Sequence, residues 1–279
     1  MSNITISDEN FLKFKEFFYR KTGMQFESSK RYFVDKRLIE RIQATDTENF
    51  RNYFNMLRFE VSGKELQQLV NSMTVNETYF FREEYQFKCL VNSLLDEITK
   101  RKKDNSPIRI WSVPSSSGEE PYSIAIYLLE YWAGINQWDV EIMSSDIDTG
   151  IIAQAKRGHY SARSVQHLPK TILAKYFRPQ NEGYQICEDL RQAVEFSRVN
   201  IMDAVDVRPY RDIDVVFCRN LLIYFDDISR RLAAEMFFDA MKPGGFVCLG
   251  HSESMSRISS LFHVRKFSEA IVYQKPWEA

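Results

Sequence analysis

Two stretches of the chain set acidic side chains where an apolar run ends and a helix can begin, the usual place for a ligand in an α/β protein. The first is the apolar run Ile108–Val113, which leads into PSSSGEEPYS and then into the helical stretch Tyr122–Trp132. Small residues at such a turn let a ligand approach the main chain and expose N–H groups at the helix start. Only Gly118 is present there, so the three-glycine dinucleotide fingerprint is missing, and Glu119 and Glu120 stand where a pyrophosphate would lie. Acids in that position repel phosphate and suit a ligand bearing an ammonium group. They are also favoured at a helix start by its dipole, so capping and ligand contact both remain open for the pair.

The second stretch is Val140–Ser145, which runs into Asp146 in SSDID. An acid at this strand tip is the usual acceptor of ribose hydroxyls, although the spacing from Gly118 exceeds the roughly 20 residues of dinucleotide folds. A helix cap by Asp146 or Asp148 is the other reading. Taken together, the two strand ends suit a nucleoside with a cationic, phosphate-free tail, and S-adenosylmethionine (SAM) fits that description.

The elements that must position these acids follow from the rest of the chain. It has 279 residues, enough for a large domain with a small one attached. Up to about residue 75, apolar residues recur at helical spacing: Phe11, Phe14, Phe18; Phe33, Leu38, Ile42; Phe50, Tyr53, Phe54, Leu57; and Leu66, Leu69, Val70, Met73. This predicts an all-helical domain of about four helices over 1–75. Over 76–279, short apolar runs alternate with helical stretches, which predicts βαβ units and a mostly parallel sheet. Ala193–Val199, Ile213–Cys218 and Phe246–Leu249 are further strands, Ser229–Met241 is a helix, and Phe262–Phe267 with Ala270–Lys275 form an antiparallel pair at the sheet edge. A small antiparallel insertion is expected at about 176–196, around Gly183.

Composition excludes several functions. Lys and Arg number 37 against 38 Asp and Glu, a formal net charge of −1, which argues against a nucleic-acid partner. Hydrophobic residues make up 44% and charged residues 27%, so the chain can bury a core. Four Cys and four His show no CxxC or HxxxH spacing, and no structural metal is expected. The first residues lack the pattern of a secretory signal, and no apolar run approaches the roughly 18–20 residues of a membrane span. A cytoplasmic, monomeric protein that does not insert into membranes is expected.

Six blocks in order carry a resemblance over nearly the whole chain: VNETYFFRE (75–83), WSVPSSSGEEPYSIA (111–125), SSDIDT (144–149), VEFSRVNI (194–201), DVVFCRNLLIYF (214–225) and KPGGFVCLGHSES (242–254). The chain resembles the CheR family of chemotaxis-receptor glutamate methyltransferases. The resemblance implies a class I SAM-dependent methyltransferase fold with a seven-stranded sheet behind the helical domain. It also implies methyl transfer from SAM to receptor glutamates, leaving S-adenosylhomocysteine. Carried over to this sequence, the donor site falls on Asn76, Thr78, Arg82, Glu120 (for the methionyl ammonium), Asp146 (for the ribose), Asn200, Ile201, Arg219 and Asn220. Tyr224 is the family's residue near the transferred methyl, and with Arg82 it is expected to orient the reactants. Each of these has a plainer reading: Arg82 as a partner of Glu83 or Glu84, Tyr224 as a core aromatic, Asn220 as a turn residue. His251 is expected to be non-catalytic. The family commonly has a small residue where this chain has Pro114, which cannot donate a backbone hydrogen bond.

Two expectations concern the acceptor. If residues 30–41 are one helix, Lys30, Arg37 and Arg41 fall within an arc of roughly 40°. Such a stripe is either a solvated face or, as the resemblance favours, a surface for the acidic helical cytoplasmic domain of a receptor. The resemblance also places a β-subdomain near 176–196, which in some members pairs with a tethering pentapeptide at a receptor C-terminus. The loop RPQNEG is short for such members, so independence from the tether is expected. The competing function is a non-catalytic module that binds SAM or S-adenosylhomocysteine. A nucleic-acid methyltransferase is disfavoured because RNLLIY stands where an NPPY-type motif would bind a flipped base.

Overall fold

The computed structural model describes residues 4–104 and 106–277. Helices α1 (Asp8–Thr22), α2 (Arg31–Ala44), α3 (Phe50–Phe59) and α4 (Lys64–Met73) make the N-terminal domain. Ser7 caps α1 by accepting from Asn10 N–H (3.2 Å), and Asn49 caps α3 through Asn52 N–H (3.0 Å). The chain leaves α1 through Gly23 at φ 72°, a left-handed exit that a side chain would strain and that would also drive a Cβ into Met202. Phe14, Phe18, Val34, Leu38, Ile42, Tyr53 and Leu69 are fully buried at the centre of this domain. Apart from Val34, which takes the buried place expected of Phe33, they lie at the helical spacing read from the sequence, because each helix has only one stripe to bury.

Beyond it, α5 (Tyr85–Cys89) and α6 (Leu95–Arg101) run together through a π-helical turn, Leu90–Leu94, into strand β1 (Ile108–Ser112). There follow α7 (Glu119–Tyr131), β2 (Val140–Asp146), α8 (Thr149–Arg157), β3 (His159–Ser161), α9 (Ala162–Val165), α10 (Lys170–Tyr176), β4 (Phe177–Gln180), β5 (Gly183–Ile186) and α11 (Glu188–Gln192). The remainder is β6 (Val194–Arg198), α12 (Ala204–Val207), β7 (Ile213–Cys218), α13 (Asp227–Ala240), β8 (Met241–Leu249), β9 (His263–Lys266) and β10 (Ile271–Gln274).

Seven strands form one sheet in the order β6-β2-β1-β7-β8-β10-β9, parallel except for β10, which runs antiparallel to both β8 and β9. Val215 and Phe217 pack on one face with α7, while Val216 and Cys218 pack on the other with α13. A central strand covered on both sides is mostly apolar, which is why IDVVFC shows no polar alternation. Its one charged residue, Asp214, is buried at the strand's start, where it accepts from Arg109 N–H (2.9 Å) and pairs with Lys102 (3.6 Å). The order reverses between β1 and β7, and that switch point opens a cleft at the strands' carboxyl ends.

The insertion differs from the 176–196 expected. Its sheet, in the order β3-β5-β4, begins at His159, and Val194–Phe196 belong to β6 of the main sheet. A strand as short as His159–Ser161 carries no periodicity to read. Strand β8 also starts earlier than the expected Phe246–Leu249, since Met241 pairs with Ile213 across a register shift despite the turn-like Pro-Gly-Gly that follows.

Candidate active site

The cleft has two chambers. The larger, about 490 Å³, is walled by the ends of β2 and β6 and by the α1–α2 connection; the smaller, about 260 Å³, is walled by residues 75–82, the turn after β1 and the end of β7. They share Val75, Asn76, Pro114, Asn220, Ile223 and Tyr224, so they meet at the 75–76 segment, the turn after β1 and the loop after β7.

Glu120, Arg219, Arg82 and Thr78 line the smaller chamber. Arg219 lies on the 219–225 loop directly after β7, with only 2% of its side chain exposed. It pairs with Glu120 (2.8 Å) and Glu83 (3.4 Å), donates to the carbonyl of Arg82, and stands 5.4 Å over the Phe87 ring. Ser112 Oγ donates to the other Glu120 oxygen (2.9 Å). Burial pushes the Glu120 carboxyl up, and Arg219 and Ser112 pull against it. Burial also opposes ionisation of Glu83, but the Arg219 charge and the hydrogen bond from His251 Nδ1 (3.0 Å) outweigh it and hold that carboxyl below its ordinary value. Glu77 and Glu120 in the lining, with Glu83 behind Arg219, make three carboxylates against the guanidiniums of Arg82 and Arg219, so this end of the cleft suits a cation. Among the described residues the buried Arg219 Nε–H has no partner. Glu119 points elsewhere: Ser117 and Ser164 hydroxyls (both 2.6 Å) hold it among buried groups. Of the acidic pair, Glu120 faces the chamber and Glu119 serves packing.

The backbone that delivers Arg82 is strained. Phe81 (φ 61°) and Glu83 (φ 53°) on either side of it are left-handed, a conformation bulky residues avoid at a cost of about 1–3 kcal/mol each. Phe81 N–H to Ser123 Oγ (3.1 Å) and Phe80 N–H to the Ser164 carbonyl (3.0 Å) hold it there. Arg82 donates to the Glu77 carbonyl (2.9 Å) rather than pairing with Glu83, whose carboxylate is committed to Arg219 and His251.

Asp146, Asn200 and Ile201 line the larger chamber. Asp146 is 3% exposed and accepts from Ser116 N–H (2.9 Å) and Asp148 N–H (3.0 Å). Burial nevertheless pushes its carboxyl up to about 6, against the pull of those two amides. The helix-cap reading belongs to Asp148, which accepts from Gly150 and Ile151 N–H and from the Asn76 amide (3.0 Å). Asn200 is tied down as well, donating to the Lys21 carbonyl at the end of α1 (2.7 Å). The opposite wall comes from the helical domain through Met24, Gln25, Phe26 and Phe33. Gln25 N–H donates to the Tyr224 carbonyl (3.1 Å), and Met24 bridges Phe225.

Tyr224 lies where the chambers meet, 38% exposed, and no hydrogen bond to its hydroxyl is found among the described residues. Pro114 lines both chambers beside it, and the turn keeps its donors: Ser116, left-handed at φ 47°, sends its N–H to Asp146.

The basic stripe does not hold together as three free cations. Lys30 closes a 3-10 turn (Ser28–Lys30) before α2 and lines the larger chamber. Arg37 is part-exposed and pairs with Glu40 (2.9 Å). Arg41 turns inward and forks onto Glu65 (2.9 and 2.6 Å), a carboxylate that Tyr53 also donates to (2.8 Å). Its neighbours pull it into the joint between α2 and α4, because a buried carboxylate needs a cation.

Sequence reasoning missed Glu83, Ser112 and the wall supplied by residues 22–33. For Glu83 the signal was its place inside the NETYFFRE block; for the wall there was none, since it requires the two domains to be docked.

The residues present fit SAM: a cation-seeking end at Glu120, a buried carboxylate at Asp146, and apolar walls between them. Residues 9–74 match the CheR methyltransferase all-alpha domain and residues 76–271 the CheR methyltransferase SAM binding domain. The chain is 54% identical to chemotaxis protein methyltransferase 2 of Vibrio cholerae, covering 99% of this chain and 96% of that one. It is 35% identical to chemotaxis protein methyltransferase 2 of Pseudomonas aeruginosa (91% and 89% covered) and 32% identical to the chemotaxis protein methyltransferase of Borreliella burgdorferi (94% of each). No described helix is long and apolar enough to cross a membrane. With both domain matches in order and more than half of its residues shared with a full-length relative, the chain belongs to the CheR family of SAM-dependent chemotaxis methyltransferases.

Proposed function

We propose that this protein methylates glutamate side chains in the cytoplasmic helical domain of chemotaxis receptors, forming glutamate 5-O-methyl esters without a C-terminal pentapeptide tether. The observation that carries the reading is the meeting of the two chambers at Tyr224, between acids suited to the two ends of the donor. Bound SAM supplies a methyl group on a positively charged sulfur, already activated for transfer. The chain's own task is then placement. Glu120, with Arg219 and Glu83 behind it, holds the ammonium end, and Asp146 holds the ribose. Asn76, Thr78, Arg82, Asn200, Ile201 and Asn220 complete the walls. A glutamate with a pKa near 4.3 is already ionised at neutral pH, so no general base is required. The free Tyr224 hydroxyl orients that carboxylate for in-line attack at about 3–3.5 Å, and the apolar walls keep water out.

Lys30 and Arg37 are the cations proposed to meet acidic residues of the receptor; Arg41 is not among them, being occupied by Glu65. Independence from the tether is supported at the edge of the insertion. Cys187 N–H bonds to the Tyr176 carbonyl, so in the antiparallel register Arg178 and Gln180 turn their backbone groups toward β5 while Phe177 and Pro179 turn theirs outward. Pro179 therefore puts a missing donor on the β4 edge, one of the two edges of this sheet, where an added strand would need one. The deciding experiment is transfer of radiolabelled methyl from SAM to candidate receptors, with base-labile release of methanol as the ester test. A protein that binds S-adenosylhomocysteine yet labels no receptor is instead a non-catalytic binding module.

A further inference from the structure

We propose that Glu253 is a positioning residue for methyl transfer, acting as a backbone clamp on the loop that carries Asn220 and Tyr224. Glu253 lines neither chamber. Its carboxylate instead gathers the N–H groups of Asn220 (2.8 Å), Leu222 (2.8 Å) and Gly250 (2.9 Å). The clamped loop leaves β7 at Cys218 and reaches Tyr224 through a 3-10 turn, so neither Asn220 nor Leu222 has a strand partner for its N–H. Asn220 is held left-handed at φ 58°, which orients the rest of the loop toward the junction of the chambers. A carboxylate accepting several backbone N–H groups makes charge-assisted bonds, stronger than the neutral bonds of an ordinary turn. Gly250 completes the clamp by leaving room: a Cβ there would stand 2.8 Å from Glu253 Oε2 and 2.9 Å from Asn220 Nδ2. The GHSES segment thus has two supporting roles, since His251 also steadies Glu83 behind Arg219.

This inference rests on the reading of the 219–225 loop as part of the reaction site. Glu253→Gln keeps the shape but turns an NH2 group toward backbone N–H donors. Gly250→Ala keeps the charge and crowds the same point. Both variants are expected to lower kcat at least about tenfold while S-adenosylhomocysteine affinity stays within about threefold and urea unfolding stays cooperative with a lowered midpoint. Wild-type kcat in both variants overturns the clamp. A loss of affinity in proportion to kcat also overturns it, because the carboxylate would then only support the donor pocket. Tyr224→Phe, assayed alongside, separates the two ideas. If it has wild-type kcat while Glu253→Gln is slow, the role of Tyr224 falls and the clamp stands through Asn220; the reverse pattern removes Glu253 and keeps Tyr224.

Discussion

Acidification should loosen the grip on the donor through one buried carboxyl. Asp146 is pushed up to about 6 by burial, so it takes a proton in a range where surface carboxylates stay ionised. Between about pH 7 and about pH 5 its ionised fraction falls from roughly nine-tenths to roughly one-tenth. If only the carboxylate accepts from the ribose hydroxyls, affinity for S-adenosylhomocysteine falls about tenfold over that span, or ~1.4 kcal/mol. Stability moves the other way. Because the folded pKa lies above the unfolded value, this group's contribution is full below about pH 3.9 and is lost as pH rises through its folded pKa. Asp146→Asn removes the charge and also sets an NH2 group against Ser116 or Asp148 N–H, both of which the carboxylate now accepts from. Losing charge-assisted bonds worth about 1.5–3 kcal/mol weakens binding roughly 10- to 150-fold near neutrality. The variant should then show a flat pH profile, so that the two proteins converge as the pH falls. Calorimetric titration with S-adenosylhomocysteine across that range measures both quantities. A variant that keeps the wild-type slope would refute the assignment and pass the titration to Glu120, which burial also raises.

Three further outcomes are expected. Tyr224→Phe should lower kcat about 10- to 100-fold at saturating donor with donor affinity unchanged, since the hydroxyl serves the acceptor; equal single-turnover rates would remove it from the mechanism. Arg41→Ala should cost about 2–4 kcal/mol in urea unfolding by leaving buried Glu65 without its cation, whereas Arg37→Ala should stay within about 0.5 kcal/mol and instead raise KM for the receptor in a salt-dependent way. A loss below ~1 kcal/mol for Arg41→Ala would contradict the inward role. A receptor C-terminal pentapeptide should give no calorimetric binding at about 100 μM, and micromolar binding would show that the Pro179 edge does accept a strand.

The parts of the fold that were legible in the sequence are those with long-range periodicity. The stripes Phe11/Phe14/Phe18 and Leu69/Val70/Met73 announced helices, and the apolar run Ile213–Cys218 announced a strand of the mostly parallel sheet. The acids of the cleft were legible because each sits at a strand end, Glu120 after β1 and Asp146 on β2. What stayed hidden depends on partners distant in the chain. Lys30 and Arg41 share a helical arc on paper, but a tight turn ends at Lys30, and Glu65, 24 positions beyond Arg41, draws that guanidinium inward. Asp146 and Asp148 were interchangeable as caps until the amides of Gly150 and Ile151 took Asp148. His159–Ser161 was too brief to register as a strand before Gly183–Gln185 was found opposite it.

Met24, Phe26 and Phe33 roof the chamber that Asp146 floors, and Gln25 is stapled to the main chain of Tyr224. The module that would choose the acceptor is therefore also half the container for the donor. A chimera that borrows its helical domain from a relative to redirect methylation inherits a different ceiling, and it keeps turnover only if the 22–33 segment travels with its matched partners around Tyr224 and Asn200. If the helical domain selects the acceptor as proposed, retargeting and turnover are coupled through that shared wall.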